Sequence, residues 1–247
     1  MEEDCTEKNW FKKWFNTPYY HILYKDRDDT EAKLFISKLL KEFKPTKGSH
    51  FMDLACGRGR HAVYLHQQGF EVTGMDLSDE NIIFAKESEK EKLHFFAGDM
   101  RENFGENRFD FILNLFTSFG YFDSLDENAM VCEQIAKGLK PGGKVLIDFL
   151  NVHQLEQGLV PRDEHQIGDH HFAIERQILD EKVLKTIKVS HQGKEDVFYE
   201  SVQLLTEEDF KNLLHNSGLN YEKSFGDYSF GPYIANQSNR LIILASK

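Results

Sequence analysis

The sequence has little cysteine, no long apolar run and no excess of positive charge. It contains three cysteines: Cys5, Cys56 and Cys132. They are too few and too scattered for a disulfide framework or a zinc site, so we predict no metal ligands. No apolar stretch approaches the roughly 20 residues of a membrane-spanning helix, and the acidic stretch 1–4 lacks the apolar core of a signal peptide. We therefore expect a soluble, cytoplasmic protein without a membrane partner.

The shortage of positive charge bears on the class of partner. The chain has 30 Lys and Arg against 41 Asp and Glu, a formal net charge of −11. A nucleic-acid partner would require a basic face, and no long Lys/Arg cluster is present, so the composition disfavours one. Hydrophobic residues make up 40% of the chain, which is typical of a globular protein with a sizeable core. The length of 247 residues allows one α/β domain with an insertion, or two small domains.

The most informative stretch is 51–61. A short apolar run ends at Asp53, a Gly57-x-Gly59 turn follows, and a helical pattern begins directly after it. A strand, a tight turn and a helix N-terminus form the local architecture of a nucleotide or cofactor site. The two glycines permit positive φ and a close approach of the backbone to a ligand. The turn alone is ambiguous, because Gly57-x-Gly59-x-x-Ala62 also fits the fingerprint of a dinucleotide-binding site.

Asp53 favours one of the two interpretations. A carboxylate at the end of this strand would repel a pyrophosphate and attract an ammonium group. S-adenosylmethionine carries an ammonium, a sulfonium and a carboxylate, and no phosphate. The pattern Asp-Leu-Ala-Cys-Gly-x-Gly at 53–59 resembles motif I of the class I S-adenosylmethionine-dependent methyltransferases. An NAD(P)-dependent oxidoreductase remains the alternative, since an acid at Asp76 would suit the ribose of either cofactor.

Strands and helices alternate from residue 50 onward, which predicts a parallel sheet with right-handed crossovers. The predicted strands are 50–54, 70–76, 93–97, 109–115 and 144–150. The predicted helices are 60–68, 79–90 and 126–139, and Pro141-Gly142-Gly143 is a predicted turn before the fifth strand. The alternation stops in 160–204, where we predict antiparallel strands at 172–179, 183–189 and 197–205 with turns at 180–181 and 192–194. A capped helix after Thr206 and a closing strand at 239–245 complete the chain.

The segment 8–43 precedes the first strand and has a helical pattern rich in aromatic residues. Thr17-Pro18 breaks this pattern, and Asp28-Asp29-Thr30 is a candidate cap for a longer helix that ends before Pro45. In methyltransferases similar to this chain, an N-terminal helical segment folds over the cofactor and a tyrosine of that segment touches it. The resemblance therefore implies a cofactor contact for Tyr20.

Further motifs follow the predicted strands in order. Asp76 ends the second strand, where an acid accepts hydrogen bonds from a ribose diol. The resemblance implies that Asp99 accepts from the adenine amino group, that the backbone of Met100 meets the ring, and that Asn114 lies beside the methionine part. The full predicted cofactor set is Tyr20, Asp53, Ala55, Gly57, Gly59, Asp76, Leu77, Asp99, Met100, Asn114 and Leu115.

The resemblance also implies the architecture. We expect an α/β fold with a doubly wound, mostly parallel seven-stranded sheet of Rossmann-like type, an antiparallel final strand and a small antiparallel β insertion. The segment 1–47 would be a helical cap over the cofactor. The ranges 48–159 and 205–247 would form the cofactor-binding domain, and the insertion 160–204 would be a substrate lid.

The implied activity is methyl transfer to a small-molecule acceptor by in-line displacement, with S-adenosylhomocysteine as product. The stretch 114–117 lacks the Pro-Pro pair of adenine amino methyltransferases, and no Pro-Cys pair provides a cytosine-type nucleophile. We predict no catalytic residue, and we expect a monomer or a homodimer. A non-catalytic S-adenosylmethionine-binding protein is a further alternative. Candidate polar groups for the acceptor pocket are Tyr121, His153, His170, His171, Arg176 and Tyr228.

Overall fold

The structure is a computed structural model that describes residues 10–25 and 29–247. Cys5, the acidic stretch 1–4 and the candidate cap Asp28 lie outside the described residues. The helices are α1 (Trp10–Phe15), α2 (Pro18–Leu23), α3 (Asp29–Phe43), α4 (Arg60–Gln67), α5 (Asp79–Lys86), α6 (Leu125–Gly138), α7 (Val152–Gly158) and α8 (Glu207–Asn216). The strands are β1 (His50–Leu54), β2 (Glu71–Asp76), β3 (Leu93–Ala97), β4 (Phe109–Asn114), β5 (Leu139–Leu150), β6 (Arg162–Ile167), β7 (His170–Leu179), β8 (Lys182–His191), β9 (Lys194–Gln203), β10 (Asn220–Phe225) and β11 (Arg240–Ser246).

A seven-stranded sheet organises the chain, with the strand order β10-β11-β5-β4-β1-β2-β3. The strands from β1 to β5 are parallel, whereas β11 runs antiparallel to both β5 and β10. This confirms the predicted fold class, including the antiparallel final strand. The strand order reverses between β1 and β4, and ligands of open α/β sheets bind at such a point, beyond the carboxyl ends of the strands.

Strand β1, the middle one of the five parallel strands, is buried along its whole length, as its apolar sequence predicts. Successive side chains of a strand point to opposite faces, so β1 contributes to two separate cores. Phe51 packs with residues of α3 and α4, whereas Met52 packs with residues of α6 and α8. Helices therefore cover both faces of the sheet and leave the strand ends available for a site.

The chain between α7 and α8 forms a second, four-stranded antiparallel sheet, in the order β6-β7-β8-β9. Both predicted turns are present, and each has consecutive residues at positive φ, 49° and 58° at Asp180-Glu181 and 51° and 76° at Gln192-Gly193. Such pairs match the right-handed twist of a hairpin. One face of this sheet packs on α1, where the rings of Phe198 and Trp14 lie 4.9 Å apart. The second sheet thus joins the core beside the N-terminal helices.

The sequence prediction was wrong at several boundaries. Strand β6 was not predicted, because most of its residues are exposed and charged and show no apolar alternation. Helix α5 ends at Lys86, since bonds such as Ser88 N to Ala85 O tighten the chain that was predicted as helix to residue 90. Strand β5 begins at Leu139 and includes the predicted turn 141–143, with a register shift on β4 and backbone bonds to Lys247. The elements α7 and β10 were not predicted either.

Candidate functional site

A cavity of about 540 Å³ lies at the carboxyl ends of β1 to β4, under α2. The strand ends and the loops after them supply its floor, as the strand-order reversal indicates. Nine of the predicted cofactor residues line it: Tyr20, Asp53, Ala55, Gly57, Asp76, Leu77, Asp99, Met100 and Leu115. Gly59 and Asn114 are not among the residues that line it, so their predicted contacts with the cofactor stay predictions.

The two glycines of the turn are needed for different reasons. Gly57 has φ of 55°, and a Cβ atom there would have nothing within 4 Å, so its backbone stands open to the cavity. Gly59 has φ of 81° and caps the N-terminus of α4, where a Cβ atom would lie 2.7 Å from the ring of Phe95. The second glycine therefore lets the helix start pack closely on β3.

Asp53 lies at the end of β1 with 1% of its surface exposed. The backbone N–H of Ala62 donates to this carboxyl group, but none of the described residues donates to its Oδ2 atom. Burial raises the pKa of Asp53 to about 7, although the charge of Arg60 acts in the opposite direction. A buried acceptor atom without a donor requires an explanation, and a bound ligand that carries a donor provides one.

Asn114 ends β4 beside β1, in register with Leu54. Its Nδ2 atom donates to the carbonyl of Leu54 at 3.1 Å, whereas its buried Oδ1 atom receives no hydrogen bond from the described residues. Two neighbouring strands thus each end in a buried oxygen that lacks a donor. Asp53 pairs in register with Leu113, so its side chain and that of Asn114 leave the sheet on opposite faces, and only Asp53 lines the cavity. The free oxygen of Asp53 suits a positively charged donor such as an ammonium group.

Asp76 holds the glycine turn from the adjacent strand end. Its Oδ2 atom accepts from the N–H of Gly57 at 2.8 Å, and its Oδ1 atom accepts from the N–H of Ser78 at 2.9 Å. Burial raises the pKa of Asp76, and these backbone donors lower it in part. The carboxyl group lines the cavity where a ribose was predicted, and it also fixes the turn that approaches the ligand.

Asp99 lines the cavity next to an ion pair of its own. Arg101 donates from Nη2 to Asp99 at 2.6 Å and from Nη1 to Glu127 at 2.6 Å. Burial alone would raise the pKa of Asp99, but the hydrogen bonds from Arg101 outweigh burial and hold that pKa below its ordinary value. The predicted contact of Asp99 with an adenine amino group stays a prediction.

A smaller cavity of about 210 Å³ adjoins the larger one. The two share a wall of aromatic side chains: Phe15, Tyr20, Tyr24, Phe116 and Tyr121. The second sheet supplies much of the remaining lining of the smaller cavity, including Arg176, Lys185 and Glu200. The pocket between the N-terminal helices and the insertion is therefore narrow, aromatic and charged on one side.

The loop after β4 forms part of the shared wall in a strained conformation. Phe116 and Thr117 have φ of 58° and 60°, which non-glycine residues rarely adopt. Asp148, fully buried on β5, accepts from the N–H of Phe116 at 2.8 Å and from Nε of Arg240 at 2.8 Å. Arg240 also donates from Nη2 to the hydroxyl of Thr117 at 2.8 Å. Strain of this kind persists where the surroundings enforce it, which is characteristic of functional sites.

Glu200 carries the negative charge in the wall of the smaller cavity. Its Oε1 atom accepts from Nε1 of Trp14 at 2.7 Å and from the hydroxyl of Tyr24 at 2.8 Å. Lys185 lies with Nζ 3.2 Å from Oε2. Burial alone would raise the pKa of Glu200, but Lys185 and the two hydrogen bonds hold it below its ordinary value.

Two histidines in the wall of the larger cavity are neutral. Burial, together with the charge of Arg58, lowers the pKa of His21 to about 4. Burial lowers the pKa of His61 to about 3, and the ring of His61 stacks on Phe116 at 5.2 Å. Neither residue was in the predicted set, because a lone histidine in a helical pattern carries no specific signal.

Comparison with known proteins identifies the central part of the chain. Residues 51–143 match the family model of a methyltransferase domain. The chain contains a class I methyltransferase domain. This confirms the predicted family and its cofactor, S-adenosylmethionine, and sets aside the nicotinamide alternative that the glycine turn allowed.

Two curated relatives and one solved structure show the extent of the similarity. The chain is 35% identical over 115 residues to "Putative methyltransferase YqeM" of Bacillus subtilis (strain 168), covering 45% of this chain and 46% of that one. It is 28% identical over 132 residues to the dTDP-3-amino-3,4,6-trideoxy-alpha-D-glucopyranose N,N-dimethyltransferase of Streptomyces venezuelae, covering 52% and 54%. The chain thus spans about half the length of these relatives. An S-adenosylmethionine-dependent methyltransferase from Clostridium acetobutylicum ATCC 824 has the same fold, with a TM-score of 0.78 and 21% identity over 92% of this chain and 95% of that one.

The methyltransferase domain has side chains that fit its cofactor. The oxygen of Asp53 that lacks a donor suits the ammonium group, and the open backbone of Gly57 permits a close approach. Among the described residues, no group of three or more His, Cys, Asp or Glu side chains could hold a metal ion. No described helix is both long and apolar enough to cross a membrane.

The candidate acceptor residues lie in different parts of the structure, and only some of them line a cavity. Tyr121 and Arg176 line the smaller cavity, and the hydroxyl of Tyr228 donates to Asp148 at 3.1 Å behind the strained loop. His153, His170 and His171 line neither cavity. Sequence reasoning missed Asp148, Arg240 and Glu200. Only the position of Asp148 near the end of a predicted strand gave a signal that could have found one of them.

Proposed function

We propose that this protein transfers the methyl group of S-adenosylmethionine to a small-molecule acceptor held in the smaller cavity. The observation that carries the proposal is the wall shared by the two cavities. Single side chains such as Tyr20, Phe116 and Tyr121 line both spaces. A cofactor in the larger cavity and an acceptor in the smaller one would therefore meet across one layer of side chains.

The residues of the larger cavity would hold the cofactor at both ends. When bound, S-adenosylmethionine supplies an electrophilic methyl group on a sulfonium. We assign Asp53 to the ammonium end, because its carboxyl group lines the cavity and has a buried oxygen without a donor. The position of Asn114 beside the methionine part stays a prediction. We assign Asp76 to the ribose and Asp99 to the adenine, since both carboxyl groups line the same cavity beyond the neighbouring strands.

The smaller cavity supports an acceptor of limited size. Its volume of about 210 Å³ is below the roughly 300–1,000 Å³ of typical drug-sized pockets. The N-terminal helices and the second sheet line it, so their side chains would align the acceptor with the methyl group. Alignment is the main requirement of an in-line displacement. A neutral amine attacks without losing a proton first, so the absence of an assigned base is compatible with this chemistry.

The relatives guide the choice of acceptors to test. The Streptomyces venezuelae protein is named as an N,N-dimethyltransferase of an amino sugar nucleotide, and a glycine/sarcosine N-methyltransferase of Aphanothece halophytica matches 88% of this chain at 24% identity. A ubiquinone biosynthesis O-methyltransferase matches 46% of it. We therefore place small amines first in the panel and phenols second.

The first test is cofactor binding by thermal unfolding with S-adenosylmethionine, S-adenosylhomocysteine and NAD in parallel. A ligand at a hundred times its dissociation constant stabilises by about 2.7 kcal/mol, or roughly 5–10 °C for a domain of this size. We expect a shift with the two adenosyl-sulfur compounds and none with NAD. A shift with NAD alone would contradict the proposal.

The second test is turnover. The protein is incubated with S-adenosylmethionine and each acceptor of the panel, and S-adenosylhomocysteine is quantified against the Asp53→Asn variant as a control. Acceptor-dependent product that the variant fails to form supports catalysis. Cofactor binding without turnover on any amine or phenol would favour the non-catalytic S-adenosylmethionine-binding protein.

A further inference from the structure

Helices α1 and α2, with Tyr24 at the end of α2, cover the larger cavity and pack on the second sheet. We call this segment, residues 10–24, the roof. Phe15 ends α1, Tyr20 lies in α2 and Tyr24 caps the C-terminus of α2, and all three line both cavities. Trp14, in the same roof, is fully buried and packs on Phe198 of β9. The position of the roof over the cofactor site therefore depends on a sheet that lies outside the cofactor-binding fold.

Glu200 and Lys185 make polar contacts between this roof and the second sheet. Glu200 accepts from Trp14 at 2.7 Å and from Tyr24 at 2.8 Å, one contact from each end of the roof. Lys185 of β8 pairs with Glu200 at 3.2 Å and also donates to the hydroxyl of Tyr24. The side chains of Lys185 and Glu200 are only 12% and 17% exposed, so water screens these charges weakly.

On its opposite side the roof meets the start of α5 through neutral groups. Ser78 donates to Asn16, and His21 hydrogen-bonds Asn81. Hydrogen bonds to a charged group contribute about twice as much as bonds between neutral groups. Of these polar contacts, the charged one with Glu200 is therefore stronger than the neutral ones with the start of α5.

We propose that Glu200 is a positioning residue that fixes Tyr20 and Tyr24 over the cofactor, so that the second sheet determines how slowly the cofactor dissociates. This inference rests on the proposed use of the larger cavity for S-adenosylmethionine. It assigns the antiparallel insertion a role in cofactor retention, in addition to its predicted role as a substrate lid.

The chain provides its own probe for the test. Trp10 and Trp14 are the two tryptophans of the sequence, and both lie on α1. Trp14 donates to Glu200, and Trp10 packs on Tyr121 at 5.3 Å, so tryptophan fluorescence reports on the roof. Dissociation of S-adenosylhomocysteine is followed by stopped-flow dilution of the preformed complex.

The main variant is Glu200→Gln, which keeps the shape of the side chain and removes its charge. Its amide would face the ammonium group of Lys185, so the contact with the roof is weakened. We expect dissociation of S-adenosylhomocysteine to become roughly tenfold faster, the equivalent of one charge-assisted hydrogen bond. Tyr24→Phe removes one donor and leaves the Glu200–Lys185 pair intact, and we expect about a threefold acceleration on the same basis.

Asp196→Asn is the matched control. Asp196 lies on the same strand and accepts from the hydroxyl of Tyr19 on α2 at 3.2 Å, but that contact is exposed and Asp196 lines neither cavity. We expect its dissociation rate to equal that of the wild type. A rate increase equal to that of Glu200→Gln would overturn the proposal, because any loosening of the second sheet would then suffice.

A double variant separates positioning from stability. Glu200→Gln with Lys185→Met removes the unpaired buried charge, so we expect it to restore the melting temperature of the ligand-free protein while dissociation stays fast. A return to slow dissociation would overturn the positioning role. If Glu200→Gln fails to fold, the double variant and Tyr24→Phe provide the test. Dissociation of S-adenosylhomocysteine at the wild-type rate in both variants would contradict the proposal. Failure of the wild type to bind S-adenosylhomocysteine would instead contradict the proposed function.

Discussion

Two carboxylates, the buried Asp53 and the partly buried Glu200, lie one beside each cavity and have opposite surroundings. Asp53, at the end of β1, is 1% exposed. The side chain of Glu200, on β9, is 17% exposed. Burial by itself raises the pKa of both groups. The pKa of Asp53 stays raised, at about 7, because the charge of Arg60 offsets burial only in part. The pKa of Glu200 falls below its ordinary value, because Lys185 and two hydrogen bonds outweigh burial.

The difference distinguishes a ligand site, at Asp53, from a contact between parts of the chain, at Glu200. Asp53 and the neighbouring Asn114 each keep a buried oxygen to which no described residue donates. The oxygens of Glu200 both have partners, and those partners belong to the N-terminal helices and to β8. We infer that the end of the seven-stranded sheet is completed by a cofactor, whereas the second sheet is complete without one and supports the roof.

The largest expected effect concerns the stability of the ligand-free protein. Glu200→Ala removes the carboxylate that pairs with Lys185 and that accepts from Trp14 and Tyr24. We expect a loss of about 3–5 kcal/mol in the free energy of unfolding, measured by urea denaturation. Adding Lys185→Met should recover part of that loss. A loss below 1 kcal/mol would show that Glu200 is not an internal partner and would remove the contrast with Asp53.

The second-largest effect concerns cofactor affinity. The substitution that tests it should stabilise the ligand-free protein, whereas Glu200→Ala should destabilise it. Asp53→Asn removes a charge that burial disfavours, so we expect the ligand-free protein to gain on the order of 1–3 kcal/mol at pH 8. The same change should weaken binding of S-adenosylhomocysteine at least roughly 30-fold in calorimetric titration, because a buried charged partner is lost. Asp110→Asn is the control, since Asp110 pairs with Lys140 at the opposite end of the sheet. Unchanged affinity in Asp53→Asn would contradict the assignment of Asp53 to the ammonium.

A pH dependence of binding follows from the raised pKa of Asp53. The ionised carboxylate attracts an ammonium, whereas the protonated form does not, and in the ligand-free protein the change occurs near pH 7. Affinity for S-adenosylhomocysteine should therefore fall as pH drops below 7, by about tenfold per pH unit at most. The stability of the ligand-free protein depends on pH in the opposite direction. The native state binds more protons than the unfolded chain between the ordinary and the raised pKa, so this group lowers stability as pH rises through that range. Asp53→Asn should flatten the binding profile, and an equally steep profile in that variant would point to another group.

The sequence predicted the site where its determinants are local. The apolar strand, the acid and the glycine turn of 51–61 are adjacent in the chain, and the structure places Asp53 and Gly57 in one cavity as expected. The parallel sheet with crossover helices followed from the alternation of strands and helices. The ligand contacts of these residues stay predictions.

The parts that were missed depend on contacts distant in sequence. Trp14 and Glu200 are 186 residues apart, and Arg240 and Asp148 are 92 residues apart. No local pattern distinguishes Glu200 from the exposed acids of the same strand. The strained φ at Thr117 also has no local signal, because Asp148 and Arg240 impose it from other strands. Tertiary contacts, and not propensity, determine these features.

The smallest expected effect tests whether burial gives Glu200 its role. Tyr19 on α2 also donates to an acid of β9, but its partner Asp196 is exposed and the contact is 3.2 Å long. Tyr19→Phe should therefore change the free energy of unfolding by less than about 0.5 kcal/mol, because solvent competes for exposed hydrogen bonds. The measurement is urea denaturation beside Tyr24→Phe, which removes the same hydroxyl group from the buried cluster and should cost more, on the order of 1–2 kcal/mol. Equal losses in the two variants would mean that proximity to β9, and not the buried charge of Glu200, holds the roof in place.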